Sequence, residues 1–175
     1  MENKRRIYLK NLRLEDVKEK ILYIEDINEG LKSFNNGILT IKSDETSMVN
    51  FKNFLLELDN ELIVDYYGNK INNIAFERMI NVLENEEKIY LKEIKEKYSE
   101  ELFFYNIEEK FLEIILKLSL EEILFSSFYI KNEVTIWGNY NKKFILFFKD
   151  KNKEKIYKDI AEKNNLILED IRYIW

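Results

Sequence analysis

Apolar positions recur at three- and four-residue steps through most of the chain and change to alternation after residue 130, and this switch organises the reading. Leu14, Val17, Ile21, Ile24, Leu31 and Phe34 form the first helical stripe, with a gap at Asn28 and a break expected near Gly30. Asn35-Asn36-Gly37 reads as a turn and Ile38 to Lys42 as a short strand. Ser43 to Ser47 supplies capping side chains for a helix whose apolar side is Val49, Phe54, Leu55 and Leu58. Leu62 to Tyr67 is the next strand, closed by Gly68-Asn69, where positive φ is easily reached.

From Ile71 to about Ile130 the period is helical almost throughout, with Ile74, Met79, Ile80 and Leu83 on one stripe and Ile89, Ile94 and Tyr98 on another. Two internal helix starts are expected: Ser99 ahead of Glu100 and Glu101, and Ser119 with Glu122 at capping-box spacing. Val134 to Trp137 and Phe144 to Phe148 then alternate about a turn at Gly138-Asn139, which predicts a β-hairpin. A helix from Lys151 to Asn164 and a strand from Leu166 to Trp175 follow. The fold class implied is α+β: one two-layer domain over residues 1–175, with short strands near both ends, a central helical block at about 71–130 and a C-terminal β-hairpin-α-β unit.

Composition sharpens this by exclusion. The 175 residues are 46% hydrophobic and 35% charged, which suits a folded chain with a real core. Cysteine and histidine are both absent, so disulfides, thiol nucleophiles, zinc sites built on sulfur or imidazole, and Ser-His-Asp machinery are excluded. Four widely spaced glycines provide no phosphate-cradling loop. No leader-like apolar run follows the basic start, and Phe111 to Ile130 is interrupted by Glu113, Lys117, Glu121 and Glu122, so a cytoplasmic location away from membranes is expected.

Charge is unevenly placed. Residues 84–130 carry twelve acidic side chains against six basic, while residues 131–175 carry ten basic against seven acidic. A basic C-terminal surface of Lys142, Lys143, Lys149, Lys151, Lys153, Lys155 and Lys158, interleaved with Trp137, Tyr140, Phe144 and Tyr157, is one candidate for contact with nucleic acid, with Lys4, Arg5, Arg6, Lys10 and Arg13 as a second basic group. The acidic pI of about 5.1 opposes that reading. A magnesium site centred on Asp65 is a further alternative, but the Glu-Glu-Lys and Glu-Ile-Lys runs at 86–88 and 93–95 fall on an expected helix and not on a strand beside it.

The most unusual positive feature is aromatic content: 12 Phe, 11 Tyr and 2 Trp. Tyr66, Tyr67, Tyr90, Tyr105, Tyr140 and Tyr173 are difficult to place together in one core, and tyrosine is a favoured interface anchor. Set beside the acidic block, they give a candidate partner-binding surface of Glu86, Glu87, Tyr90, Glu93, Glu96, Glu100, Glu101 and Tyr105. The expectation is a non-enzymatic protein that docks a basic, nucleic-acid-handling partner such as a toxin or nuclease-type effector, in the manner of an immunity protein or a phage anti-defence inhibitor. Neither a cofactor nor a metal is called for, and direct contact with nucleic acid is the alternative.

Overall fold

The computed structural model describes residues 9–59, 61–99 and 101–174. Lys4, Arg5, Arg6, Glu100 and Trp175 lie outside the described residues. Along the chain come β1 (Lys10–Leu12), α1 (Leu14–Lys18), α2 (Ile27–Ser33), β2 (Asn35–Thr40), α3 (Ser47–Leu58), β3 (Leu62–Asp65), α4 (Asn73–Ile80) and α5 (Asn85–Lys97). They are followed by β4 (Phe103–Tyr105), α6 (Glu109–Leu120), β5 (Phe128–Ile130), β6 (Val134–Trp137), β7 (Lys143–Phe148), α7 (Glu154–Lys163) and β8 (Ile167–Arg172). The strands form one antiparallel sheet of eight in the order β1-β4-β3-β5-β6-β7-β2-β8.

Strand alternation distributes the apolar side chains to two faces. Val64, Phe104, Phe128, Ile136 and Leu146 point to one face and pack with Phe51 and Phe54 of α3, Leu91 and Ile94 of α5 and Phe111 of α6. This helical layer against one sheet is the α+β arrangement the period switch predicts. The other face carries Ile63, Phe103 and Tyr129 under Val17 and Ile21, and Ile145 and Phe147 under Leu22 and Ile24. A fully buried phenylalanine contributes about 1.5–3 kcal/mol relative to an exposed one, so both faces are strongly held.

The helical block from 71 to 130 is interrupted. β4 sits between α5 and α6, with Phe103 on one face of the sheet and Phe104 on the other. A three-residue aromatic run satisfies helical spacing as readily as alternation, and cross-strand pairing with β1 and β3 decides for the strand. Ser99 therefore starts no helix, and Ser119 lies at the end of α6, where its hydroxyl accepts the Ser126 N–H (3.2 Å) and donates to the Leu124 carbonyl (3.3 Å).

The first stripe is likewise two short helices joined by an extended segment. Asp26 ends that segment by accepting the N–H groups of Asn28 (2.8 Å) and Glu29 (3.1 Å), capping α2. Gly30 does not break α2. It lets the helix lie against the sheet, since a Cβ there would stand 3.1 Å from the Phe147 ring.

None of the four glycines has positive φ; Asn106, Asn141, Lys142 and Asn165 are among the residues that do. Gly68 instead makes room. It lies in a single 3-10 turn, Tyr67–Asn69, and a Cβ on it would fall 2.1 Å from the hydroxyl oxygen of Tyr66, whose ring is fully buried. That hydroxyl has no hydrogen-bond partner among the described residues.

Two substitutions test this packing in opposite directions. Tyr66→Phe removes an unsatisfied buried hydroxyl and is expected to raise stability to urea by about 1 kcal/mol, whereas Gly68→Ala crowds a ring that cannot withdraw and is expected to lower it by about 1–3 kcal/mol.

Candidate functional site

The acidic surface is built on α5. The helix opens at Glu84, whose N–H donates to Glu87 Oε2 at 2.8 Å, and its first turn also holds Glu86. Acids at this end and Lys95 and Lys97 at the other complement the helix dipole. Tyr90, Leu91 and Ile94 face the core. The 3.6-residue period then turns Glu86, Ile89, Glu93 and Glu96 outward along one stripe, with Ile89 59% exposed in its middle.

Beside this stripe the start of α5 meets the start of α6 at an open groove of about 670 Å³, lined by Glu84, Glu86, Glu87, Glu109 and Glu113 with Lys110. Most of the groove acids are matched. Lys52 bridges Glu109 (2.7 Å) and Glu113 (2.6 Å), Lys117 pairs with Glu87 (3.2 Å), and Lys110 stands 3.7 Å from Glu86. Glu93 and Glu96 make no ion pair with any described residue.

The eight residues singled out by sequence therefore separate. Glu86, Glu93 and Glu96 share the outer stripe, and Glu87 turns toward α6. Tyr90 is not an exposed anchor: its ring packs near Phe111, its hydroxyl donates to Glu108 Oε2 at 3.2 Å, and burial pushes its pKa up. It falls one position off the stripe, which is enough to rotate it into the core. Glu101 is half-buried, with its carbonyl accepting from Asn69 Nδ2 at 3.2 Å. Tyr105 is half-buried against the other face of the sheet, 5.7 Å from the Lys10 ammonium, and Glu100 lies outside the described residues. Ile89, expected on one apolar stripe with buried Ile94 and Tyr98, is instead exposed, as the 86-89-93-96 spacing allows, and Glu109 and Glu113 were not singled out from the sequence.

The C-terminal lysines do not alternate with free rings. Phe144 and Tyr157 are buried in the core. Lys149 donates to Asn132 Oδ1 (2.6 Å), Lys153 pairs with Glu133, and Lys158 pairs with Glu154 (2.6 Å). Of the four rings expected there, half-buried Trp137 and Tyr140, which packs edge-on against Phe125, are left as stacking platforms for single-stranded bases.

Asp65, at the end of β3, projects to the face covered by α1 and α2 and is 5% exposed. Its Oδ1 accepts the Ser127 N–H at 2.6 Å and its Oδ2 accepts the Tyr129 hydroxyl at 3.0 Å. Burial raises its pKa to about 6, against the lowering effect of these donors, and the same burial with the adjacent carboxylate pushes Tyr129 up. Among the described residues no three acidic side chains converge as a metal site, so the carboxylate stands among rings and not among further ligands.

The sign of the pH effect follows. Asp65 binds its proton more tightly folded than unfolded, so its contribution to stability is fully present below pH 4 and is lost as pH rises through 6. Relative to Asp65→Asn, the native chain is expected to lose on the order of 3 kcal/mol of urea stability between those limits, with no comparable slope in the variant.

No family model, no curated protein and no solved structure matches the chain.

Proposed function

We propose that this chain is a non-catalytic binding protein that docks a basic partner through the outer face of α5. The observation that supports the reading best is the stripe of Glu86, Ile89, Glu93 and Glu96, an exposed aliphatic side chain set among carboxylates of which two lack an ion-pair partner among the described residues. Such a face draws a basic protein by long-range attraction and offers a small apolar contact once it arrives. The adjoining groove adds Glu84 and Glu109, the latter shared with Lys52.

The chemistry of the partner follows from the charge. A protein with a basic, phosphate-binding surface, such as a nuclease-type effector or toxin, is the natural complement, and occupation of that surface by carboxylates would block it. An inhibitor or immunity-type role is therefore the functional class proposed, in a cytoplasmic setting. Among the described residues no helix is long and apolar enough to cross a membrane.

The test is a charge reversal on residues that pack against nothing essential. Tagged protein retained with a basic protein from its own cell extract at low salt is expected to lose it at high salt and in the Glu86→Lys, Glu93→Lys, Glu96→Lys triple variant, with affinity down tenfold or more. The corresponding Lys142→Glu, Lys143→Glu variant is expected to retain the partner. Retention that ignores the α5 reversal but fails with the lysine variant, or a labelled oligonucleotide shifted at low salt, contradicts the proposal.

A further inference from the structure

A small pocket lies on the face of the sheet away from α5, where the end of β3 meets β5, the 23–25 segment and the β6–β7 turn. Its volume is about 130 Å³, the share of roughly four water molecules in the liquid. Asp65 lines it from the buried side and Glu25 from the exposed side. Tyr23, Tyr67, Tyr129 and Trp137 supply the walls, and among the described residues no lysine or arginine lines it. Tyr67 is 46% exposed, so the mouth opens to solvent.

From this arrangement we infer that the pocket is a binding site for a small organic cation, a guanidinium or primary ammonium head group whose charge meets Asp65 and whose sides lie against the tyrosine and tryptophan rings. Four non-hydrogen atoms make up a guanidinium, which matches the space. Each carboxylate oxygen has two lone-pair directions; the Ser127 N–H, the Tyr129 hydroxyl and the Ser127 hydroxyl draw on three of these, so one acceptor direction remains for a ligand. Aromatic faces attract such cations, most strongly where water is excluded. Tyr23 already makes this kind of contact, with the Lys18 ammonium 4.9 Å from its ring centre. An inorganic divalent ion would call for several oxygen ligands in place of rings.

The surrounding packing keeps the pocket in shape. Gly138 brings the β6–β7 turn against the 125–126 segment, where an added Cβ would stand 2.9 Å from Phe125 Cβ and 3.1 Å from the Ser126 carbonyl. Thr135 anchors the opposite wall by donating its hydroxyl to the Leu22 carbonyl. The site is thus assembled by the sheet itself and is independent of the proposed docking at α5.

The experiment uses the full chain with Trp175→Phe, so that Trp137 is the single tryptophan emitter. Methylguanidinium is titrated at millimolar concentration with methylurea as the neutral isostere, and a short peptide carrying one arginine is compared with it. A saturable change in Trp137 emission with methylguanidinium and none with methylurea is expected. Asp65→Asn is expected to weaken binding by at least about tenfold. Glu25→Gln, at an exposed position, is expected to weaken it severalfold with an unchanged melting temperature, and it decides the matter if Asp65→Asn does not fold. Tighter binding of the peptide assigns the cation to a partner's side chain, and equal binding assigns it to a free small molecule. No saturable change with methylguanidinium, an equal response to methylurea, or binding unaltered by Glu25→Gln would overturn the inference.

Discussion

The centre of this sheet is packed with buried side chains on both faces, and that constraint shapes the rest of the molecule. Phe104 and Phe128 press against the helical layer while Phe103 and Tyr129, their neighbours in the chain, press against the α1–α2 side. A strand whose successive residues are all buried cannot slip register by one residue without exchanging its whole contents between two differently shaped covers. The helical layer on one side and the short cover on the other are both responses to the same need to keep water from these rings.

In such an interior a polar group is conspicuous, because it must be satisfied there or tolerated at a cost. Thr135 and Tyr129 are satisfied, by the Leu22 carbonyl and the Asp65 carboxylate. Asp65 is satisfied by Ser127 and Tyr129 and yet borders an open space, which sets it apart from a purely internal tie. The acidic chemistry of the other side is of a different kind. It lies on the outer surface of a helix, where charge is cheap to expose and acts at a distance through the field it creates. The two candidate surfaces thus differ in mechanism as well as position: one attracts, the other encloses.

How much of this was readable in the chain depends on which signal was in use. Period alone located α3, the β6–β7 hairpin, α7 and β8, since each shows its period over enough residues and is bounded by turn or capping residues. It failed at β4, where Phe103 and Phe104 offered too few residues to separate two periods, and at the first stripe, where Asp26 is a cap and not a mid-helix residue. Gly68 was misread as a source of positive φ and Gly30 as a helix break, when Gly30, Gly68 and Gly138 serve close approach, a tertiary property with no local signature. The acidic stripe was half legible: spacing placed Glu86, Glu93 and Glu96 together, while the burial of Tyr90 follows from the rotation of α5 against α6. Asp65 stood out only as an acid in an apolar strand, and its partners Ser127 and Tyr129 lie more than sixty residues away.

The claim on which the cation site and the pH dependence both rest is that Asp65 is a desolvated carboxyl facing a pocket between the sheet and its smaller cover. Carbon-13 NMR of the Asp65 side-chain carboxyl across pH reads this directly. The account predicts a single titration centred near pH 6 that moves Tyr129 resonances with it. A midpoint at or below about 4, the ordinary aspartate value, would mean that water reaches the group freely and would contradict it.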